Sequence, residues 1–186
     1  MNNKKNIIYL TGFMGAGKST IGPILANTLG WDYYDLDKVI EAKIGKKIKQ
    51  IFEDQGEKFF RETEREVLTE LSKGENLIIA LGGGTIANPS NLKILKYSGD
   101  IVFLKVSPEE IFKRVAFKKD RPLLNQGDQK ISSELLKEKI HQLYVERIKF
   151  YEQADIIINT DNSTVGQTVD EISKLIYKLK KPEHPF

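Results

Sequence analysis

The stretch Ile7-Ile8-Tyr9-Leu10-Thr11, continued by Gly12-Phe13-Met14-Gly15-Ala16-Gly17-Lys18-Ser19-Thr20, decides the fold of this 186-residue chain. Its first part, Ile7–Leu10, is a continuous apolar run that predicts a buried strand, and Ser19–Leu29 has helical periodicity. Between strand and helix, four positions match the pattern G-x-x-x-x-G-K-[ST]. The alternative, an ordinary glycine-rich turn, requires no such flanking elements. The stretch therefore predicts a phosphate-binding loop, in which backbone N–H groups converge on an anion at a helix N-terminus.

Strands and helices alternate along the rest of the chain. The other predicted strands are Trp31–Asp35, Leu77–Leu81, Ile101–Val106 and Ile156–Ile158. The other predicted helices are Lys38–Ile44, Glu57–Leu71, Pro108–Val115, Ser132–Gln153 and Val165–Leu179, the last with an N-cap at Thr164. Continuous apolar strands alternating with helices predict an α/β fold with a parallel sheet, right-handed crossovers and ligands beyond the carboxyl ends of the strands. The length predicts one domain over residues 1–186.

Composition excludes several functional classes. A net charge of +3, with the basic residues scattered among glutamates, argues against nucleic acid as a partner. The absence of cysteine excludes disulfides and thiolate chemistry. No apolar run approaches the roughly 18 residues that a membrane span needs, and the N-terminus has no signal-peptide pattern. These observations predict a cytoplasmic protein with no membrane partner.

The phosphate-binding loop predicts specific contacts with ATP. Lys18 places a point charge at the β- and γ-phosphates, and the Ser19 hydroxyl can bind Mg²⁺. Asp35 and Asp37 follow at the end of the second predicted strand, pointing the same way. One carboxylate can hold a water bound to Mg²⁺, and the other can accept a hydrogen bond from a substrate hydroxyl. Alternatively, Asp37 is only the N-cap of the helix Lys38–Ile44.

Three further features suggest an acceptor site. Arg61 presents a planar fork suited to a carboxylate, although an intrahelical pair with Glu57 or Glu64 is the commoner explanation of such an arginine. The run Gly82-Gly83-Gly84 follows the third predicted strand and permits close approach of a ligand to the backbone. Arg147 lies near the end of the long helix, and it is either a ligand or a solvated surface charge.

The polar stretch Phe117–Lys130 predicts a mobile lid. It contains Arg121-Pro122-Leu123-Leu124. An arginine carried by a lid can stabilise charge on a phosphoryl group during transfer. Solvated surface charge is the competing interpretation of Arg121.

Together these landmarks resemble the shikimate kinase family from Ile7 to about Val169. The resemblance rests on GFMGAGKST, the pair DLD, the spaced motif from Phe52 to Glu64 that contains GEKFFRETE, then GGGT, RPLL, and Arg147 with Tyr151. The loop alone indicates only a nucleotide site, whereas GEKFFRETE, GGGT and RPLL in this order are much more specific.

The resemblance implies a role for each matching residue. ATP would be held by Gly15, Ala16, Gly17, Lys18, Ser19 and Thr20, with Arg121 reaching it from a lid at about residues 117–130. Mg²⁺ would be bound by Ser19, and by Asp35 through water. Asp37, Arg61, Gly83 and Arg147 would bind shikimate, the two arginines taking its carboxylate. Lys18, Asp37 and Arg121 would be the catalytic residues.

The resemblance also implies a fold and a reaction. The fold would be a three-layer P-loop kinase with a five-stranded parallel sheet of order 2-3-1-4-5, and the protein would be a monomer. The reaction would transfer the γ-phosphate of ATP to the 3-hydroxyl of shikimate, within aromatic amino acid biosynthesis. Gluconate kinase or another small-metabolite P-loop kinase is the alternative on this scaffold. A non-enzymatic nucleotide switch is a further alternative, although it would have no use for the arginine and glycine cluster.

Overall fold

The computed structural model of the protein describes residues 6–116 and 132–180. Its strands are β1 Ile7–Thr11, β2 Asp32–Asp35, β3 Leu77–Ala80, β4 Asp100–Lys105 and β5 Ile156–Asn159. They form one parallel sheet in the order β2-β3-β1-β4-β5, with β1 in the centre. All five predicted strands are present, and the sheet order implied by the family resemblance is confirmed.

Seven α-helices connect or flank these strands in the described residues. They are α1 Lys18–Leu29, α2 Leu36–Ile44, α3 Ile48–Leu71, α4 Pro89–Ser98, α5 Pro108–Ala116, α6 Ser133–Tyr151 and α7 Val165–Lys180. A short 3-10 helix, Thr85–Ala87, precedes α4. The Thr164 hydroxyl accepts from the N–H of Gln167 at 3.3 Å, which is the predicted N-cap of α7.

The inner strands β1 and β3 are apolar along nearly their whole length because helices cover both faces of the sheet, whereas the edge strand β2 is only partly buried or exposed at each position. Every residue of β1 and of β3 is buried, including those on alternating faces. A strand with one face in water would alternate apolar and polar residues. A continuous run of apolar residues therefore indicates a strand that is buried on both faces of the sheet. The sheet places the residues that follow β1, β2 and β3 side by side at its carboxyl edge.

Two helices differ from the sequence-based prediction. Helix α3 begins at Ile48, nine residues before the predicted Glu57, but its path is interrupted at Gly56, where φ is 79° and ψ is 173°. The predicted start therefore marks the second of two helical segments. Helix α4 was not predicted, although Asn88 is its N-cap, accepting from Ser90 N at 2.9 Å, and Pro89 occupies its first turn. Asparagine followed by proline is a common helix start.

Candidate active site

The phosphate-binding loop lies at the end of β1, in the middle of the sheet. Gly17 is the N-cap of α1 and has a φ of 99°, in the left-handed region that favours glycine. The Lys18 ammonium is drawn back over the loop, donating to the carbonyl of Gly12 at 2.6 Å and to that of Phe13 at 3.3 Å. The lysine charge is therefore held at the loop, where phosphate oxygens would lie.

A cleft of about 730 Å³ extends from this loop along the carboxyl edge of the sheet. All six predicted nucleotide contacts from Gly15 to Thr20 line it. Asp35, Asp37, Gly83 and Arg147 line the same cleft. Residues from four separate parts of the sequence thus meet in a single space, which has room for two small ligands end to end.

The two aspartates after β2 have different structural roles. Asp35, not Asp37, is the N-cap of α2: its Oδ1 accepts from the N–H of Lys38 at 3.3 Å. The helix begins at Leu36, two residues before the predicted Lys38, so Asp37 falls within its first turn. The interpretation of Asp37 as merely a cap is therefore wrong, and its carboxylate faces the cleft.

Asp37 is also electrostatically unusual. Burial, the largest cause, together with the charges of Asp35, Glu64 and Glu41 raises the pKa of its carboxyl to about 6, while Lys18 opposes them. A carboxyl group with a pKa near the working pH is well matched to receiving and releasing a proton. This environment makes Asp37 a candidate proton acceptor in the cleft.

The glycine run after β3 touches each predicted acceptor-site side chain. A Cβ placed on Gly82 would lie 2.8 Å from Asp37 Oδ1, and one on Gly83 would lie 2.9 Å from Arg147 Nη1. A Cβ on Gly84 would lie 3.0 Å from Arg61 Nη2. Side chains would fill these spaces, so the run is glycine because two arginines and an aspartate approach its backbone.

Arg61 lies beside this run but does not line the cleft, and its partly buried guanidinium is paired with two glutamates of α3. Its Nη1 lies 3.1 Å from Oε2 of Glu64, whose side chain is only 1% exposed, and its Nε lies 3.3 Å from Oε1 of the exposed Glu57. Glu64 also accepts from the Thr85 hydroxyl at 2.8 Å and from the Asn91 amide at 3.2 Å. The intrahelical pairs considered from the sequence do form, and they hold the guanidinium beside Gly84.

The opposite end of the cleft contains a residue that sequence reasoning missed. Arg114 on α5 donates from Nη2 to the Thr160 carbonyl at 2.8 Å and from Nη1 to the Gly15 carbonyl at 3.4 Å. Thr160, Ser163 and Thr164, in the loop after β5, line the cleft with it. In the sequence, Arg114 only resembles the i+4 partner of Glu110, a pair that also forms. Its contacts across the fold have no local signature.

The two residues predicted to hold Mg²⁺ have oxygen ligands that suit this ion. Ser19 and Asp35 both line the cleft next to the phosphate-binding loop, and a hydroxyl with a carboxylate are hard oxygen ligands of the kind this ion prefers. Asp35 uses one oxygen for capping, and its other oxygen can accept from a metal-bound water. Arg121 and the predicted lid at about residues 117–130 lie outside the described residues.

The sheet order is that of a P-loop kinase. The same cleft joins the phosphate-binding loop to a second group of polar residues around the glycine run, so the class of protein is a P-loop kinase. Comparison with known proteins refines this class: a sequence model described as shikimate kinase matches residues 14–177. The shikimate kinase of Chlorobium chlorochromatii is 42% identical over 97% of this chain and 96% of that protein. That of Chlorobaculum tepidum is 40% identical over 92% of this chain and 90% of that protein.

Solved structures agree. A shikimate kinase from Acinetobacter baumannii, in complex with shikimate, superposes with a TM-score of 0.83 at 35% identity, covering 97% of each chain. The crystal structure of shikimate kinase from Bacteroides thetaiotaomicron gives a TM-score of 0.83 at 36% identity, over 92% of this chain and 98% of that one. The chain belongs to the shikimate kinase family. The predicted family, fold and enzyme class are thereby confirmed.

Proposed function

We infer that this chain transfers the γ-phosphoryl group of ATP to the 3-hydroxyl of shikimate, giving shikimate 3-phosphate and ADP. The observation that carries this function is the single cleft that joins the phosphate-binding loop to the run Gly82-Gly83-Gly84, with Asp37 between them. The reaction requires two anionic ligands end to end, with a proton acceptor where they meet. Relatives at about 40% identity over nearly the whole chain support the same substrate.

At the acceptor end, we propose that Arg61 and Arg147 bind the carboxylate of shikimate at the Gly83 backbone. Asp37 accepts a hydrogen bond from the hydroxyl that attacks the phosphorus atom. Ionised above its pKa of about 6, the Asp37 carboxylate orients that hydroxyl and receives its proton as the new P–O bond forms. The bond that breaks joins the γ-phosphorus to its bridging oxygen, and ADP leaves with the electron pair.

At the nucleotide end, the backbone from Gly15 to Thr20 and the Lys18 ammonium hold the phosphate chain. Mg²⁺, held by Ser19 and through water by Asp35, would supply charge neutralisation at the β- and γ-phosphate oxygens. Lys18 moves its hydrogen bonds from the Gly12 and Phe13 carbonyls to phosphate oxygens. Arg114 and the loop from Thr160 to Thr164 border the space left for the rest of the nucleotide.

Four further parts of the proposal rest on the sequence and the family resemblance. Arg121 reaches the transferring phosphoryl group from a lid at about residues 117–130. The chain is a single domain and acts as a monomer. It resides in the cytoplasm, consistent with the absence of cysteine, and no helix among the described residues could cross a membrane.

A coupled ADP assay with purified protein, Mg-ATP and shikimate tests the function. We expect ADP release that requires shikimate, with a new phosphomonoester resonance of matching amount in the phosphorus NMR spectrum. Gluconate, tested in parallel, should support no more release than water. ADP release with gluconate but not with shikimate would overturn the assignment of the acceptor. Release that ignores both would indicate a nucleotide hydrolase or switch.

A further inference from the structure

Tyr151, the last residue of α6, occupies an unusual position for a tyrosine. Its side chain is completely buried, and its ring stacks on Phe103 of β4 with centroids 5.2 Å apart and an interplanar angle of 28°. A ring packed between a helix and the central sheet has a fixed location. Its hydroxyl is therefore presented to the neighbouring structure from a rigid base.

The hydroxyl of Tyr151 meets the acceptor site from behind. It donates to the carbonyl of Gly83 at 2.9 Å. A trans peptide is planar, so holding this carbonyl also fixes the direction of the next N–H group, that of Gly84. The rotation of a glycine peptide is otherwise weakly restricted, because there is no Cβ to limit it. The hydrogen bond from Tyr151 therefore restricts the rotation of the Gly83–Gly84 peptide, which the glycines alone would allow.

Arg147 joins the same arrangement. It lies four residues before Tyr151, so the two side chains share one face of α6. Its Nη1 approaches the Gly83 backbone from the cleft, where a Cβ would lie 2.9 Å from it. Burial raises the pKa of the Tyr151 hydroxyl, and the charge and hydrogen bond of Arg147 only partly oppose this. The phenol therefore stays neutral and keeps the proton that it donates to Gly83.

We propose that Tyr151 is a positioning residue for the acceptor: its hydroxyl fixes the Gly83 peptide relative to the Arg147 guanidinium and so sets the affinity for the carboxylate of shikimate. This inference rests on the proposed function. Tyr151 itself is fully buried and does not line the cleft. Tyr151 therefore acts on the affinity for shikimate and not on the affinity for ATP.

The test compares Tyr151→Phe with Tyr9→Phe. Tyr9 is an equally buried tyrosine whose hydroxyl bonds to Ser98 at 2.7 Å, on the side of α4. Each change deletes one buried hydroxyl and keeps the ring. Loss of one hydrogen bond corresponds to about threefold to tenfold in a binding constant, so the KM for shikimate should rise by that factor in Tyr151→Phe. Its kcat and KM for ATP should change less than about twofold, and Tyr9→Phe should leave all three constants unchanged.

Each other result has a definite meaning. An unchanged KM for shikimate in Tyr151→Phe overturns the inference, as does an equal rise in both KM values. A Tyr151→Phe protein that fails to fold while Tyr9→Phe folds also overturns it, since the contact would then be a general support of the core. If the unaltered protein forms no product from shikimate, the proposed function fails first. Calorimetric titration of shikimate into each folded variant without nucleotide must reproduce the difference in affinity, or the inference fails.

Discussion

We expect the Lys18 side chain to be expendable for folding and essential for chemistry. Its ammonium binds the Gly12 and Phe13 carbonyls at the surface of the cleft, outside the core. Replacing Lys18 with Ala should lower turnover at least about a hundredfold, because the charge acts where phosphoryl oxygens become more negative. The melting curve should hardly move. Turnover above about a tenth of the original would contradict the role of the loop.

We expect the charge of Asp37 to be essential for turnover. Asp37→Asn keeps the size of the side chain but removes the charge that receives the hydroxyl proton. Because general-base assistance is worth about 10²–10⁴-fold, kcat should fall at least a hundredfold, while nucleotide affinity measured by titration should stay constant. In the unaltered enzyme, kcat/KM should decline as pH falls through about 6, the pKa of the Asp37 carboxyl. Near-normal turnover in the variant would exclude the proton-accepting role.

The same carboxyl should cost the protein stability. Its pKa is about 6 in the folded chain against an ordinary value of 3.8 for an aspartate, so the folded state holds the proton more tightly than the unfolded state. The ionised group therefore destabilises the fold above pH 6, and this cost disappears below about pH 3.8. The upper bound is about 3 kcal/mol, reduced by solvent in the open cleft and by the favourable charge at the start of α2.

Melting of Asp37→Asn at two pH values checks this cost. The variant should melt a few degrees above the unaltered protein at pH 7.5, and the gap should close as the pH approaches 4. A gap of the same size at both pH values would mean that the asparagine stabilises by packing and not by removing a charge. That result would contradict the destabilisation attributed to the ionised, buried Asp37 carboxylate.

At the scale of elements, α3 and α6 supply the two arginines in different ways. On α3, Arg61 is the charged partner of the buried Glu64, so Arg61→Ala should weaken both shikimate binding and the fold. On α6, Arg147→Ala should weaken binding by about tenfold to a hundredfold and leave the melting temperature nearly unchanged. Kinetics and melting on both variants separate these roles. If Arg61→Ala also left the melting temperature nearly unchanged, the hydrogen bonds from Thr85 and Asn91 would be enough to satisfy the Glu64 carboxylate.

Elements differed in how well the sequence predicted them. Strands β1, β3 and β4 were found because apolar runs buried on both faces need no information about neighbours, whereas β2, with aspartates at both ends and no buried position, gave a weaker signal. The boundaries of α2 were harder: whether Asp35 or Asp37 caps it depends on where β2 ends, a matter of two residues. Arg114 could not be assigned a role at all. Its guanidinium contacts Gly15, 99 residues earlier in the chain, and Thr160, 46 residues later. Such pairings exist only after the sheet has formed.

At the scale of the molecule, one sheet edge carries both ends of the proposed site. In the proposed function, residues after β1 bind the nucleotide, and residues after β2 and β3, with α6, bind the acceptor. Because β1 pairs directly with β3, the sheet itself sets the separation of the two sites. Two ligands bound at a fixed separation no longer need to find each other, which is a large contribution of the scaffold to group transfer.

This division predicts two separable ligand effects on the stability of the whole chain. A ligand at a hundred times its Kd stabilises by about 2.7 kcal/mol, which for a chain of this size raises the Tm by roughly 5–10 °C. Mg-ADP and shikimate should each produce such a shift alone. Lys18→Ala should reduce the shift with Mg-ADP and keep that with shikimate, whereas Arg147→Ala should do the reverse. If each variant lost both shifts, the two ends of the cleft would form a single cooperative site, and the assignment of separate side chains to each ligand would be wrong.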